Sequence, residues 1–431
     1  MKSFEHYQKS SFLELSARQK IQTQLLRQHM TYCNKSSPFY RQLFKKHGVV
    51  PESVNLDNLQ DVPFTDKHCL ERSNKSFIAV SQESVADIVL SSGTTGAPTK
   101  IVYSQGDLER LAYNERQSLA SCGLNAHDRV LLTCTIDRCF IAGLAYYSGA
   151  RALGAACIRN GLNSLESHAG IIKLMNPTVI VGVPSFLRKL GNFVSHQKIS
   201  VASVKKLVCI GEPLRNIDMQ KLTLLEDIEK IWKAKAYSTY SSSEIVTTFC
   251  ECERQNGGHL HPELAVAEIV DERGRRASAG AAGELVVTPL GIEGMPLVRF
   301  RTGDISFMID EPCACGRKSP RLGPILGRKK QMLKIKGTTV YPLAVFSALD
   351  NISEISDYFI TVFSQDALSD RLTVTVSLRY SCSVRRISEV LAASLRVAPE
   401  VVIASEEEVR RVVYNPSLRK PVRFFDRRKK V

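Results

Sequence analysis

From about residue 86 to residue 300, short apolar runs alternate with stretches of helical periodicity. RVLLTCTI (129–136) reads as a strand, and LAYYSGARALGAACI (144–158) as a helix running into a strand. PTVIVGVPSFLRKLGNFV (177–194) reads as strand, turn and helix. KLVCIGEPLR (206–215) is a strand and then a loop, and IEKIWKAKAYSTYSSSE (228–244) approaches a polar loop as a strand. Repeated β-α-β units predict a largely parallel sheet with buried strands. Ligands of such sheets sit beyond the carboxyl ends of the strands.

Upstream, residues 4–32 carry a helical stripe of Phe12, Leu13, Leu15, Ile21, Leu25 and Leu26. Pro38 opens a short helix that ends near Gly48, and Thr65 or Asp66 is placed to cap another. After about residue 263 the pattern changes. LAVAEIVDERG, GELVVTPL and MPLVRFRTGDISFMI read as strands between Gly turns, a β-rich subdomain. A second break comes at GPILGRKKQ (323–331), followed by strands and a helix over 384–397. The expected class is therefore α/β. A large N-terminal domain (1–328) holds mostly parallel sheets and the β-rich part, and a small α+β C-terminal domain (329–431) follows.

The 431 residues exceed one ordinary core. Hydrophobic content of 44% and charged content of 23% fit a soluble globular chain. No run reaches the ~18 apolar residues of a membrane helix. MKSFEHYQKSSF has no apolar signal core, so the expected location is the cytoplasm. The 12 Cys then point to free thiols or a metal site rather than a disulfide scaffold. A net charge of +15 suits a polyphosphate ligand, an acidic protein or nucleic acid. No zinc-finger, RNA-recognition or basic-zipper pattern is present, which argues against nucleic acid. The ending RKPVRFFDRRKKV reads as a solvated tail or as an interaction surface.

SSGTTGAPTK (91–100) lies between two predicted strands. It is not a Walker A sequence, because its Lys lacks the preceding Gly and the following Ser or Thr. The same physics is available. Gly93 and Gly96 let backbone amides approach an anion. Ser91, Ser92, Thr94 and Thr95 offer hydroxyl donors, and Lys100 a mobile charge. Phosphate contact is the reading; a polar hairpin turn is the alternative.

SSGTTGAPTK resembles the first core motif of the adenylate-forming enzymes. Further pieces follow in that family's order: TYSSSE (239–244), RFRTGDI (299–305) and GRKKQMLKIKGTTVYP (327–342). SPFYRQLF (37–44), VPFTDK (62–67) and CACGRKSPRLGPILGR (313–328) narrow the likeness to phenylacetate-CoA ligases. The resemblance implies ATP-dependent activation of a carboxylic acid as an acyl-adenylate, then transfer to a thiol. It also implies that the small domain rotates about a hinge between the two steps.

Carried onto this chain, the resemblance gives Lys100 and the loop hydroxyls the pyrophosphate. Glu244 receives Mg²⁺, a hard ion that prefers oxygen ligands. Thr239 stands where the family has a hydroxyl near the α-phosphate, and Tyr240 where an aromatic stacks on adenine. Ser241 replaces a Gly common in relatives. Asp304 is assigned the ribose hydroxyls, with Arg328 as a second ribose contact. Gly211 and Glu212 resemble the adenine loop, one residue shorter. Lys420 aligns with the Lys of the family's Gly-Lys-Ala-x-Arg ending, here between Arg419 and Pro421, and Lys330 with the hinge residue.

A structural zinc site is a further candidate, with Cys252, His261, Cys313 and Cys315 as ligands and Cys250 and His259 as rivals. The acid pocket is expected near Tyr146, Tyr147, Pro184 and Ser185. An aryl or arylacetic acid is implied, although CTIDRCFIAGLAYY lacks the His-Asn aromatic signature common in relatives. The acceptor is coenzyme A, or else a carrier-protein thiol or an amine. A homodimer is a candidate assembly, and a catalytically inactive nucleotide-binding homologue is the non-enzyme alternative.

Overall fold

The computed structural model describes residues 4–91, 99–335, 338–364, 369–414 and 421–428. The chain divides into two compact units, Met1–Ile325 and Leu326–Val431.

The centre of the first unit is a nine-stranded sheet. Ala156–Arg159, Arg129–Leu132, Val179–Gly182, Lys206–Ile210 and Lys235–Ser242 lie side by side in that order, all parallel. Thr247–Glu251, Gly258–His259, Arg321–Leu322 and Met308–Ile309 extend it with antiparallel pairing. Both faces of the parallel part are covered, which explains its continuous apolar runs. Val130, Leu132, Val179, Val181, Val208 and Tyr237 pack on one face. Leu131, Ile180, Leu207, Cys209 and Ala236 pack on the other, with Leu187 and Trp232. Burying each large aliphatic side chain contributes about 1.5–3 kcal/mol.

Helices Gln105–Ser121 and Ile141–Ala152 flank the first face. They pack closely at Gly149, where a Cβ would stand 2.2 Å from that of Glu115. A side chain there would force the helices apart. Helices Pro184–His196 and Thr223–Trp232 cover the opposite face.

The β-rich part is an antiparallel sheet of Ala265–Val270, Gly283–Pro289 and Phe300–Ser306, joined in parallel by Thr65–Asp66. Asp66 is the residue that caps the helix Lys67–Arg72, accepting from Cys69 N at 2.8 Å. The apolar pattern predicts strand from Met295 onward, but the strand begins at Phe300. The reason is Arg299. Its φ of 45° breaks the extended backbone. Its buried guanidinium donates to Glu268 at 2.9 and 3.0 Å and to the carbonyls of Gln60 and Val62.

The N-terminal helix also starts later than its stripe predicts, at Leu15. Before it, Ser10 donates to buried Glu263, and the Ser11 carbonyl accepts from Lys318 and Ser319 N. These tertiary partners hold residues 4–12 in short turns instead. No described helix is long and apolar enough to cross a membrane.

The second unit has a sheet in the order Glu400–Ile403, Asp370–Leu378, Ile355–Ser364, Phe424–Asp426. Helices Pro342–Asp350, Val384–Leu395 and Glu406–Val413 accompany it. Its own core includes Leu333, Val345, Ile360, Val374 and Leu391.

Candidate active site

The segment that raised the phosphate reading leaves strand Val85–Leu90 and returns as the antiparallel strand Lys100–Ser104. At its base Ser91 N donates to the Thr99 carbonyl at 2.9 Å. Ser92, Gly93, Thr94, Thr95 and Gly96 lie outside the described residues. Lys100 opens the returning strand with an exposed side chain. Three residues on, the buried Tyr103 hydroxyl donates to the Ser243 carbonyl at 2.8 Å. That bond ties the hairpin to the turn carrying Glu244. The Glu244 carboxylate is 12% exposed and 4.0 Å from Lys67 Nζ. Lys67 was not expected at the site; the only signal for it was the VPFTDK motif.

Tyr240 and Asp304 come together although 64 residues separate them: the phenol donates to Asp304 Oδ2 at 2.7 Å. Burial raises the Tyr240 hydroxyl well above its ordinary value, and the Asp304 charge adds to this. The phenol therefore stays protonated and donates. Ser241 is extended and pairs with Thr248, a strand conformation open to residues with a side chain.

Thr239 hydrogen-bonds twice through its hydroxyl, to Tyr146 OH at 3.0 Å and to the Cys209 carbonyl at 3.1 Å. A carbonyl only accepts, and a threonine has one hydroxyl hydrogen. Thr239 therefore donates to Cys209 and accepts from Tyr146. Its hydrogen is committed to the Cys209 carbonyl. Tyr146, expected in the acid pocket, is a buried strut behind this strand. Tyr147 is half-buried, with the Arg159 guanidinium 5.4 Å from its ring centre.

The adenine-loop candidate leaves the sheet at Gly211, whose φ of 75° suits a residue without Cβ. Glu212 turns its carboxylate to the start of helix Pro184–His196. It accepts from Ser185 N at 2.9 Å and from Ser185 Oγ at 2.8 Å. A carboxylate at a helix N-terminus meets free N–H groups and a favourable dipole. Glu212 and Ser185, expected in separate nucleotide and acid roles, thus bind each other. Pro184 is buried beside them as the first helical residue.

In the second unit Arg328 and Lys330 are exposed, and the Lys330 carbonyl accepts from Arg428 at 3.4 Å. Lys420 lies outside the described residues.

A separate cluster gathers Cys252, His259, Cys313 and Cys315, with one ligand atom from each within 4.8 Å of the others. Cys252 follows strand Thr247–Glu251, and His259 sits in the neighbouring strand opposite Cys250. A tight turn, closed by Gly316 N donating to the Cys313 carbonyl and Cys313 N to the Arg317 carbonyl, supplies the other two. The histidine is His259, and the expected His261 is not in the group. Two residues beyond His259 along an extended chain is a shift of about 6.6 Å. There the His261 carbonyl accepts from Leu264 N as the chain turns away. Cys250, the rival thiol, instead lies 3.2 Å from Cys122.

The separations in the cluster are chemically specific. Cys252 and Cys313 Sγ are 3.7 Å apart, and Cys315 Sγ is 3.5 Å from His259 Nε2. A tetrahedron with Zn–S of about 2.3 Å and Zn–N of about 2.0 Å has edges of about 3.8 and 3.5 Å. Burial and the nearby Arg317 push His259 down to about 3, leaving a neutral imidazole. Burial pushes the Cys252 thiol up to about 12. Burial also raises the Cys315 thiol, but hydrogen bonds from Arg317 outweigh it and hold it below its ordinary value.

The chain matches the AMP-binding enzyme family over residues 22–292 and the AMP-binding enzyme C-terminal domain over residues 337–428. It is 33% identical to a phenylacetate-coenzyme A ligase of Thermus thermophilus over 85% of this chain and 83% of that protein. It is 30% identical to the phenylacetate-coenzyme A ligase of Pseudomonas putida, over 84% and 82%. A solved 2-hydroxyisobutyryl-CoA ligase, in its postadenylation state with R3-HIB-AMP, has the same fold. Its TM-score is 0.85 at 21% identity, covering 97% of this chain and 91% of that one. This chain belongs to the AMP-binding, adenylate-forming enzymes and, within them, to the phenylacetate-CoA ligase-like family.

Proposed function

We infer that this protein is an AMP-forming acid–CoA ligase. It joins a carboxylic acid to ATP as an acyl-adenylate and then to coenzyme A as a thioester. The relatives it matches over more than four-fifths of their length bear that activity in their names. The observation that carries the reading to particular residues is the Tyr240–Asp304 hydrogen bond. It joins two motifs at the edge where a parallel sheet holds ligands.

In the first step a carboxylate oxygen attacks the α-phosphorus and the bond to pyrophosphate breaks. Both reactants are anions, so the protein must supply cations and donors. Lys100, from the hairpin, faces the departing pyrophosphate. Glu244 would hold Mg²⁺, which neutralises phosphate oxygens when bound, and Lys67 adds a second positive charge beside it. Asp304 takes the ribose hydroxyls, with Tyr240 fixing its carboxylate and lining the base. In the second step the coenzyme A sulfur attacks the acyl carbon, AMP leaves, and the thiol proton passes to solvent. Lys420 serves the first step, and Lys330 and Arg328 lie where the small domain turns between steps.

The acid is aryl or arylacetic. ATP–pyrophosphate exchange over a panel of aryl, arylacetic and short aliphatic acids tests this. Exchange restricted to aromatic acids, followed by thioester formation on adding coenzyme A, is the expected result. Exchange with transfer only to a carrier protein would reassign the acceptor, and nucleotide binding without exchange would make the chain an inactive homologue.

The Cys252–His259–Cys313–Cys315 cluster fits a structural Zn²⁺. Ligation draws protons from the thiols, among them that of Cys252, which burial otherwise keeps protonated. Purified protein should carry one zinc per chain, and its absence after growth in zinc-replete medium would remove the assignment.

A further inference from the structure

Strand Lys235–Ser242 is held from both faces at adjacent residues. On one face Tyr146 bonds Thr239, which bonds the Cys209 carbonyl. On the other, Ser238 N donates to Glu251 Oε2 at 2.9 Å, and Glu251 Oε1 accepts from Arg215 Nε at 2.8 Å. Arg215 and Glu251 side chains are 7% and 2% exposed. Arg215 lies just beyond the Gly211–Pro213 loop, after Leu214, which is anchored in the core. A short excursion follows and returns at Leu222, whose N–H donates to the Leu214 carbonyl at 2.9 Å.

Such a buried ion pair is an expensive way to gain stability, because desolvation offsets most of the attraction. Here it is also incomplete: Arg215 Nη2 has no hydrogen-bond partner among the described residues. Its geometric effect is specific. One carboxylate from strand Thr247–Glu251 fixes both the backbone beside Thr239–Tyr240 and the root of the Gly211–Pro213 loop. The backbone pairing of strand Lys235–Ser242 with Lys206–Ile210 ends before Gly211.

We propose that Arg215, through its buried pair with Glu251, is a positioning residue that sets the Gly211–Pro213 loop against Tyr240 for nucleotide binding. This rests on the reading of that edge as the ATP site. Arg215 touches no reacting atom, so its loss shows in ATP affinity more than in turnover at saturating ATP.

The test separates positioning from folding. Arg215→Met should raise the ATP KM and the calorimetric Kd for ATP by roughly 10- to 100-fold, the scale of a misplaced contact, while the acid KM stays near wild type. It should also lower Tm, since Glu251 is left buried and unpaired. The Arg215→Met, Glu251→Leu double variant should recover Tm while keeping the weakened ATP binding. Arg215→Lys, which keeps the charge but not the planar fork, should fall between. Wild-type ATP affinity in the double variant would overturn the proposal, as would a fall in Tm in Arg215→Met with no change in ATP binding. If the wild-type protein binds ATP but exchanges with no acid, the ligase reading fails and the titrations still decide the role of Arg215. If it binds no ATP, both fail.

Discussion

The proposed nucleotide edge, on strand Lys235–Ser242, and the Cys–His cluster, on the neighbouring strands Thr247–Glu251 and Gly258–His259, share one sheet, yet they arrange their polar atoms differently. At the edge the side chains satisfy one another: Tyr240 with Asp304, Tyr146 with Thr239, Ser185 with Glu212. In the cluster three thiols and an imidazole converge within 4.8 Å of one another, with Arg254 N and Arg317 donating to Cys252 and Cys315, and His259 Nδ1 is buried with no hydrogen-bond partner among the described residues. Buried polar groups are nearly always paired in native proteins. Mutual pairing leaves the polar groups of the edge satisfied without a central atom. Convergence of four ligand atoms at tetrahedral spacing fits a site built around a central atom. His29 supplies the control. Its Nδ1 is also buried without such a partner, but among the described residues no metal-sized group of ligand atoms includes it.

The largest effect should come at the edge. Lys100→Ala should slow ATP–pyrophosphate exchange by roughly 10²–10³-fold, the cost of one donor to developing charge. Its exposed side chain implies little change in Tm. A large Tm loss with near-normal exchange would reverse the contrast drawn above.

The cluster should give the reverse pattern. Cys252→Ser should lose zinc and lower Tm by roughly 5–10 °C. Exchange measured well below that Tm should stay close to wild type, and a selective loss of exchange would move the cluster into the chemistry.

His29 should show a pH signature of its own. Burial pushes it down to about 4, against about 6.5 in the unfolded chain. Between these values the unfolded state takes up a proton that the native state refuses. Stability is therefore lost as pH falls from about 6.5 to about 4, by up to about 3 kcal/mol, with no contribution above pH 6.5. Denaturation at pH 7 and pH 5 should differ less in His29→Gln than in wild type, and equal differences would place the titration elsewhere.

The smallest effect belongs to Tyr240→Phe. Removing one hydrogen bond to a partly buried carboxylate should raise the ATP KM by about 3- to 10-fold. Retained stacking should leave turnover nearly intact. A loss as large as that of Lys100→Ala would mean the phenol does more than orient Asp304.

Much of this was legible in the chain. Apolar runs at 129–132, 179–182 and 206–210 are strands because each is buried on both faces. Asp66 and Gly48 mark helix ends by chemistry that acts over a few residues. The ordered motifs singled out Tyr240, Glu244 and Asp304 as candidates, and the fold brings Tyr240 and Asp304 into hydrogen-bond contact. Distance in sequence hid the rest. Nothing near Arg299 announces that Glu268, Gln60 and Val62 will converge on it and end the extended run. Nor does anything near Cys252 decide between His259 and His261, since both are histidines in one short segment and the choice rests on how strands align across the sheet. Residue order alone carried most of the elements, the succession of the motifs and the family. Which hydroxyls and carboxylates the fold already holds was set by tertiary packing. A side chain's identity sets what it can bond, whereas its partner is chosen by the packing of segments far apart in the chain.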